Sequence, residues 1–355
     1  MSQHNRPSAS GLFRAHGANP ENLYRALGLP MPASILDFST NTNVLPWKGV
    51  LGFDLMERLS NYPDDSAEEL RELIAAREGC APENVLFVNG SNEGIYLLAS
   101  FFSGKDAAVL QPVYGEYRRA LTAFGALTRN VFSLSELGAG FDVVFLCNPC
   151  NPTGSYLRAR GLEALARDHP QTLFVVDQAY LDFLRLEEAD LEYEKVDFCS
   201  LPNLILLRSL TKIYHLCGVR IGYLLASPEW RCRLDGRRPS WSVNSVAQVA
   251  ALAFLKDEEF YRRSRAFYAA ETPRFIRAVE EAGFRTAPTT VHFFLMETDN
   301  DEGLILELLG RGLVVRHTRN FPGLDGSYVR VSTRLPEEND KLVEALADWK
   351  RQNSN

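Results

Sequence analysis

The stretch LILLRSLTKIYHLCGVRIGYLLAS, residues 204–227, decides the fold of this chain and the location of its chemistry. Its short aliphatic run, Leu204 to Leu207, predicts a strand buried on both faces, as in a parallel sheet covered by helices. The strand leads into a turn that carries Ser209 and Lys212, and Arg220 follows. An amine among apolar neighbours and near a guanidinium has its charged form disfavoured. Lys212 is therefore a candidate nucleophile that can condense with an aldehyde as a Schiff base.

Ser209 and Arg220 are suited to bind an anion beside that amine. A serine hydroxyl and a planar guanidinium can together hold a phosphate, because arginine offers a bidentate fork that lysine lacks. The pattern Ser-x-x-Lys is short and made of common residues, so a solvated surface lysine is the competing interpretation of Lys212. Other parts of the chain have to distinguish the two.

Further apolar runs repeat the pattern of a buried strand followed by polar residues: Val85–Val88, Ala107–Leu110, Asp142–Leu146 and Leu173–Val176. Helical segments such as GLEALARDH lie between them, which predicts an α/β fold with a mostly parallel sheet flanked by helices. In such sheets ligands bind beyond the carboxyl ends of the strands. The polar residues after the strands are therefore predicted to meet along one edge: Ser91, Tyr114, Asn151, Asp177, Tyr180, Ser209 and Lys212.

The pattern of helices and strands also predicts the domain organisation. Residues 1–45 form an N-terminal arm and part of a small domain, 46–235 a large domain, and 236–355 a linking helix and the rest of the small α/β domain. Arg316 and Arg330 both fall in predicted strands of the small domain, where two arginines that face a cleft would hold anionic substrate groups. Within the large domain, the helix that follows Pro63 is predicted to be capped by Asp65 or Ser66.

Composition excludes several classes of protein. The net charge of -7 argues against nonspecific binding to nucleic acid or anionic membranes. No apolar run approaches the length of a membrane span, and the start MSQHNRPSAS lacks the apolar core of a signal peptide, so a cytoplasmic enzyme is expected. The six cysteines are expected to be reduced and mostly packed. Cys147 and Cys150 have metal-like spacing but no second pair, so no metal site is predicted.

The residues predicted to share one edge of the sheet match the needs of pyridoxal phosphate. Lys212 would form the imine, and Asp177 would keep the pyridine nitrogen protonated. Asn151 and Tyr180 would hydrogen-bond the ring oxygen, and Tyr114 would stack on the ring, a contact worth about 0.5–1.5 kcal/mol beyond area burial. The structural alternatives are a core aromatic for Tyr114 and a helix cap for Asp177.

The motifs NGSNEG, NPTG, DQAY, SLTK and GVRIGY occur in this order and resemble those of fold-type I pyridoxal-phosphate enzymes of the aspartate aminotransferase superfamily, over nearly the whole chain. Two groups of that superfamily are candidates, the histidinol-phosphate aminotransferases and the L-threonine O-3-phosphate decarboxylases of cobamide synthesis. The segments HGANP, FSTNTN, RSLTKIY, PSWSVN and NFPGLDGSYVRVSTR are similar to those of the decarboxylase group. The sequence departs from the related enzymes at Gln178, where they usually carry glutamate.

The resemblance implies a role for each candidate residue. Lys212 is then the Schiff-base lysine, with Asp177, Asn151 and Tyr180 as partners of the cofactor ring. The cofactor phosphate would be bound by Ser91, Asn92, Ser209 and Arg220, with Tyr62 reaching across from the second subunit of a homodimer. The substrate would be bound by His16 and Asn41 at its phosphate, by Arg330 at its carboxylate, and by Arg316 as a neighbour.

The expected reaction is decarboxylation of L-threonine O-3-phosphate or L-serine O-phosphate to an amino-alcohol phosphate. Transamination of histidinol phosphate is the alternative enzymatic activity. A cofactor-sensing regulator built on the same fold would need a basic helix-turn-helix, and the first forty residues do not contain that pattern. A metabolite-binding module would have no use for Lys212.

Overall fold

A computed structural model describes residues 17–137, 140–185 and 195–353 of the chain. Within these residues the chain forms two compact units. The large unit contains Thr42–Asn151 and Ser155–Ala266, and the small unit contains 17–41, Pro152–Gly154 and 267–353. The predicted domain boundaries at residues 45 and 235 stay a prediction.

Strands and helices are numbered here along the described chain. The strands are β1 Leu36–Asp37, β2 Val85–Val88, β3 Asp106–Leu110, β4 Leu127–Val131, β5 Val143–Cys147, β6 Leu173–Asp177, β7 Leu204–Ser209, β8 Gly222–Leu225, β9 Phe293–Glu297, β10 Leu313–Val314, β11 Arg316–His317 and β12 Tyr328–Ser332. The helices are α1 Pro20–Leu27, α2 Leu55–Ser60, α3 Glu68–Glu78, α4 Gly90–Ala99, α5 Glu116–Ala123, α6 Ala159–Asp168, α7 Leu210–Ile213, α8 Pro228–Asp235, α9 Ser245–Leu255, α10 Glu258–Glu281, α11 Asp301–Gly310 and α12 Pro336–Asn353.

The large unit is built around a seven-stranded sheet with the order β2-β8-β7-β6-β5-β3-β4. Strands β4, β3, β5, β6 and β7 are parallel to one another, and β8 is antiparallel to both of its neighbours. Every residue of β2, β5 and β6 is buried, as expected for strands covered by helices on both faces. The parallel strands place the residues that follow them at one edge of the sheet, and the predicted α/β class is confirmed.

Strands β4 and β8 were not among the strands that the sequence predicts. The sequence of β4, LTRNV, mixes polar with apolar residues because β4 lies at an edge of the sheet, where much of it stays solvent-accessible. The sequence of β8, GYLL, is fully buried but short and opens on a glycine, and its antiparallel direction leaves no trace in a local pattern.

The small unit contains a three-stranded antiparallel sheet, β11-β12-β9, and the parallel pair β1 and β10. Its core includes Phe38, Phe275, Phe294, Leu308 and Leu342, all fully buried. The segment GLVVRHT, which contains the predicted strand around Arg316, is divided between β10 and β11, which belong to different sheets.

The N-terminal cap of α3 differs from the prediction. The carboxylate of Asp64, rather than Asp65 or Ser66, accepts the backbone N–H of Glu68 at 2.9 Å and that of Ser66 at 2.9 Å. Asp65 instead accepts the backbone N–H of Trp241 at 2.6 Å. The residue at the N-cap position is Ala67, which has a left-handed backbone with φ 47° and no side chain that can accept a hydrogen bond. Asp64 therefore bonds the start of the helix from three residues upstream.

The six cysteines are unpaired thiols, and only Cys147 is buried. The prediction that most of them are packed was wrong: Cys199, Cys217 and Cys232 are exposed, and Cys80 and Cys150 are half-buried. Among the described residues no group of histidine, cysteine and acidic side chains has the arrangement of a metal site. No helix within that part of the chain is both long and apolar enough to span a bilayer.

Candidate active site

Lys212 lies in α7, which begins directly after β7 at the carboxyl edge of the sheet. Its Nζ is 5.9 Å from the centroid of the Tyr180 ring. The carbonyl of Lys212 accepts the backbone N–H of Asn43 at 2.9 Å, and the Asn43 amide donates to the carbonyl of Ile213 at 2.8 Å and to Ser264 at 2.7 Å. These hydrogen bonds fix the backbone around Lys212, so the position of this residue at the edge of the sheet is well defined.

Asp177 is the last residue of β6 and is buried. Its Oδ2 accepts the hydroxyl of Tyr117 at 2.8 Å, and its Oδ1 accepts the backbone N–H of Ala179 at 2.9 Å. Burial raises the pKa of Asp177, and the two hydrogen bonds and the charge of Lys212 oppose that rise. A carboxylate in this position gains stability from a cationic partner such as a protonated ring nitrogen.

Tyr114 lies beside the same cluster. Its hydroxyl donates to Oδ1 of Asn92 at 3.3 Å, and its ring meets the Tyr117 ring edge-on, with centroids 5.8 Å apart. Burial raises the pKa of Tyr114, and the nearby Tyr180 and Asp177 act in the same direction. The phenol therefore stays protonated and its ring is available as one wall of the site.

The start of α4 is a cradle for an anion because of the glycines around it. Gly90 has φ +72°, and a side-chain carbon there would lie 2.5 Å from Nη2 of Arg220. A side-chain carbon at Gly222 would lie 2.9 Å from the backbone nitrogen of Ser91. The missing side chains let a guanidinium and a strand approach the helix N-terminus, where backbone N–H groups point outward and favour a phosphate.

Ser209 and Arg220 complete this cradle. Ser209 pairs with Gly222 in the register of β7 and β8, so it lies next to the glycine that contacts Ser91. Arg220 has φ +59°, a conformation that non-glycine residues adopt mainly where the surroundings enforce it, and its Nη1 donates to the carbonyl of Cys217 at 3.1 Å. Three of the predicted phosphate residues, Ser91, Ser209 and Arg220, are thus brought together.

Asn151 and Tyr62 differ in their placement. Asn151 follows β5 and is buried, and its backbone N–H is hydrogen-bonded to the Cys147 side chain. Tyr62 is 80% exposed and its ring packs at a tilt of 33° against Trp241, with ring centroids 4.6 Å apart. Tyr62 therefore lies on the surface of the large unit, and its predicted role across a subunit boundary stays a prediction.

Two arginines of the small unit face each other. Arg316 of β11 is directly opposite Arg330 of β12, and each is only 5% exposed. Arg330 donates to the carbonyl of Ser39 at 2.5 Å, and Arg316 donates to Oδ1 of Asn320 at 3.0 Å. Burial and the charge of Arg330 lower the pKa of Arg316 to about 9. Two buried guanidinium groups in register repel each other, and a bound anion would relieve that repulsion.

Asn41 belongs to the same unit and is 3% exposed. Neither atom of its side-chain amide has a hydrogen-bond partner among the described residues, which is unusual for a buried amide. Nearby in sequence, Gly17 packs so closely that a side-chain carbon there would lie 3.1 Å from the Ser39 carbonyl and 3.5 Å from Arg316. His16, predicted at the substrate phosphate, lies outside the described residues.

Tyr117 is the residue of this site that the sequence did not reveal. It lies three positions after Tyr114, a spacing that places both side chains on one face of α5 and its N-terminal turn. That spacing was the available signal, but an aromatic residue in a helix facing a sheet is ordinarily a core residue.

A mainly parallel sheet flanked by helices, with a lysine directly after one strand and a buried aspartate at the end of the neighbouring strand, is typical of pyridoxal-phosphate enzymes with the aspartate aminotransferase fold. The chain belongs to the aminotransferase class I and II family, whose profile matches residues 47–346. Dependence on pyridoxal phosphate is characteristic of that family. The predicted fold class and cofactor are confirmed.

Similar proteins come from two groups of the family. Threonine-phosphate decarboxylase of Salmonella typhimurium is 31% identical over 355 aligned residues, 94% of this chain and 95% of the relative. Histidinol-phosphate aminotransferase 2 of Carboxydothermus hydrogenoformans is 30% identical over 348 residues, 93% of this chain and 94% of the relative. The crystal structure of L-threonine-O-3-phosphate decarboxylase from Porphyromonas gingivalis superposes with a TM-score of 0.80 at 29% identity, and the match covers 89% of this chain and 100% of that one.

Proposed function

We propose that the protein is a pyridoxal-phosphate-dependent decarboxylase of L-threonine O-3-phosphate or L-serine O-phosphate, producing an amino-alcohol phosphate. The observation that carries the proposal is the buried pair Arg316 and Arg330 in register, together with the orphaned amide of Asn41. These groups suit a substrate with two anionic ends, a phosphate and a carboxylate. Histidinol phosphate has only the phosphate, but its co-substrate 2-oxoglutarate has two carboxylates, so the arginine pair supports a substrate with two anionic groups and the assay below decides between the two reactions.

When bound, pyridoxal phosphate supplies an electron-withdrawing ring that accepts the electron pair released at the substrate α-carbon. In the proposal Lys212 holds the cofactor covalently, and Asp177 accepts a hydrogen bond from the protonated ring nitrogen. Asn151 and Tyr180 hydrogen-bond the ring oxygen, and Tyr114 covers one face. The cradle formed by Ser91, Asn92, Ser209 and Arg220 binds the cofactor phosphate.

Two charged side chains are proposed to orient the substrate. The bond that breaks has to stand perpendicular to the cofactor ring, and two anionic groups held at separate points fix that orientation. Arg330 is assigned to the carboxylate because it matches the carboxylate-binding position of the family that the sequence resembles, and the Ser39 carbonyl holds its guanidinium at 2.5 Å. Arg316, Asn41 and His16 are assigned to the phosphate, which is the handle that separates this substrate from free threonine.

A homodimer is part of the proposal. Helix α2 has no buried residue, and Val50, Leu55, Met56 and Leu59 are 51–86% exposed. Apolar side chains clustered on one surface segment are typical of a protein interface. A second copy of the chain on this surface would also cover Tyr62, which then reaches the cofactor of its partner.

Transamination of histidinol phosphate is the competing activity, and the relative from Carboxydothermus hydrogenoformans favours it at nearly the same identity. Both reactions need the same cofactor site. They differ in whether the bond to the carboxylate or the bond to hydrogen is aligned for cleavage, so the substrate site has to decide between them.

The test is an assay of the purified protein, loaded with pyridoxal phosphate, on each candidate substrate separately. L-threonine O-3-phosphate and L-serine O-phosphate are expected to release carbon dioxide and an amino-alcohol phosphate, and free threonine is expected to react far more slowly. Formation of glutamate from histidinol phosphate plus 2-oxoglutarate, with no carbon dioxide from either phospho-amino acid, would assign the competing activity instead.

A pair of variants tests whether the buried arginine pair binds the substrate. Arg316→Gln removes one guanidinium from the buried pair and is expected to raise KM for the phosphorylated substrate about 10- to 150-fold, since a hydrogen bond to a charged group contributes about 1.5–3 kcal/mol. Arg319→Gln is the control, because Arg319 is 43% exposed and ion-paired with Asp301 at 2.6 Å. Equal KM values for both variants would remove the assignment of Arg316.

A further inference from the structure

Tyr117 has a role that packing alone does not explain. The side chain is 1% exposed and lies in the first turns of α5. Its ring is held between Tyr114, at 5.8 Å, and Phe145, at 5.9 Å between centroids. This aromatic clamp fixes the phenol so that its hydroxyl donates to Oδ2 of Asp177 at 2.8 Å.

The Tyr117 hydroxyl donates to a buried carboxylate, that of Asp177. A carboxylate removed from water is stable only if hydrogen bonds and positive charge replace the lost solvation. Among the described residues, the side-chain oxygens of Asp177 accept two hydrogen bonds, from Tyr117 and from the backbone of Ala179. Only the first comes from a side chain, so it is the one that a substitution can remove.

Cys147 is a second neighbour of the Tyr117 hydroxyl. Its position in β5 pairs with Asp177 in β6, and its sulfur lies within hydrogen-bonding reach of the Tyr117 hydroxyl. Burial raises the pKa of Cys147, so the group stays a neutral thiol, and its Sγ donates to the Pro149 carbonyl at 3.1 Å. A neutral sulfur is a weak acceptor, so it does not draw the phenolic proton away from the carboxylate.

We propose that Tyr117 is a positioning residue that holds the carboxylate of Asp177 ionised and correctly oriented for the cofactor ring nitrogen, and that the thiol of Cys147 preserves this hydrogen bond by competing poorly for it. The inference rests on the proposed function of Asp177. It also gives a function to Cys147, which with Cys150 has the spacing of metal ligands but is not part of a predicted metal site.

The pH dependence of cofactor binding tests the proposal. The titratable groups that face Asp177 are Tyr117, Cys147, Lys212 and Tyr114. Burial already raises the pKa of Asp177, and the Tyr117 hydrogen bond limits the rise. Removing that bond raises the pKa of Asp177 further, so the carboxyl group is protonated at a higher pH. Once protonated, it no longer offers a negative charge to the cofactor ring nitrogen.

The experiment titrates the apoprotein with pyridoxal phosphate at a series of pH values and follows the absorbance band of the bound cofactor. Tyr117→Phe keeps the ring and removes the hydroxyl. As the pH is lowered, the affinity of Tyr117→Phe for pyridoxal phosphate is expected to begin falling at a higher pH than that of the wild type. Below that pH the variant is expected to bind about tenfold more weakly, which corresponds to ~1.4 kcal/mol. Superimposable wild-type and Tyr117→Phe profiles would overturn the proposal.

Tyr96→Phe is the matched control, because Tyr96 also donates to a carboxylate, Oε2 of Glu116 at 2.9 Å, and this hydrogen bond does not involve Asp177. Its profile is expected to match the wild type. Asp177→Asn separates the two levels of inference. If it binds the cofactor as tightly as the wild type at every pH, the proposed function of Asp177 fails, whereas a loss in Asp177→Asn without a shift in Tyr117→Phe rejects only the role of Tyr117.

Cys147→Ser gives a second, independent measurement if Tyr117→Phe fails to fold. A serine hydroxyl is nearly the size of the thiol but a stronger acceptor, so it competes with Asp177 for the phenolic proton. A smaller shift in the same direction as that of Tyr117→Phe is expected. An unchanged profile would contradict the part assigned to Cys147 and, with Tyr117→Phe unfolded, would end the proposal.

Discussion

Replacing Gly90 with alanine is expected to damage the phosphate cradle while leaving the sheet intact. Gly90 has φ +72°, and the new side-chain carbon would lie 2.5 Å from Nη2 of Arg220 and 3.1 Å from its Cζ. No carbon approaches a guanidinium nitrogen that closely, so the arginine has to move away from the helix N-terminus. The cofactor phosphate then loses a charged hydrogen-bond donor.

The size of the effect follows from two separate contributions. A left-handed backbone destabilises a non-glycine residue by about 1–2 kcal/mol, which lowers the stability of the apoprotein. A hydrogen bond to a charged group contributes about 1.5–3 kcal/mol. Loss of the second contribution raises the dissociation constant for pyridoxal phosphate about 10- to 150-fold.

Gly28→Ala separates these contributions. Gly28 has φ +63° at the end of α1, and a side-chain carbon there meets no atom within 4 Å. Thermal unfolding of both apoproteins is expected to show a similar decrease in midpoint. Equilibrium titration with pyridoxal phosphate is expected to show weaker binding for Gly90→Ala alone. Wild-type affinity in Gly90→Ala would refute the assignment of Arg220 to the cradle.

Further predictions concern the amine, the interface and a helix cap. Lys212→Ala is expected to abolish both catalysis and the absorbance band of the covalently bound cofactor. Lys256→Ala is the control: it removes an exposed amine paired with Glu69 and is expected to keep both. A retained band in Lys212→Ala would contradict the assignment. Leu59→Asp places a charge on the apolar surface of α2 and is expected to shift the sedimentation equilibrium from dimer to monomer, and a monomeric wild-type protein would disprove the interface. Asp64→Ala is expected to destabilise the large unit by about 0.5–1.5 kcal/mol for each hydrogen bond lost at the start of α3, measured as a lower urea midpoint. An unchanged midpoint would show that these bonds contribute nothing.

The sequence predicts the strands of this sheet best where they are buried on both faces. Val85–Val88 is identical in prediction and structure, because a fully covered strand needs a continuous aliphatic run. The same reasoning fails for β4, which lies at the sheet edge and whose residues are exposed or half-buried apart from Val131. It fails for β8 as well, since strand direction depends on the connection between strands and not on the residues of the strand.

The candidate site also contains residues that the sequence located and residues that it did not. Lys212, Asp177 and Ser209 follow apolar runs directly, so the rule that ligands bind at the carboxyl ends of strands locates them. Tyr117 could not be found by that rule, because its function depends on a contact between a helix and a strand that are distant in sequence. The orphaned amide of Asn41 is also a property of the folded chain, since only burial makes an unsatisfied amide informative.

The antiparallel course of β8 has a consequence for how this catalyst can change over time. Because β7 and β8 are neighbours, residues 210–221 form one connection that is closed at its base by the pairing of Ser209 with Gly222. That connection contains both Lys212 and Arg220, so an insertion or deletion within residues 210–221 would change the spacing between the proposed Schiff-base amine and the proposed phosphate ligand. Substitutions at Arg316 and Arg330 leave the length of this connection unchanged.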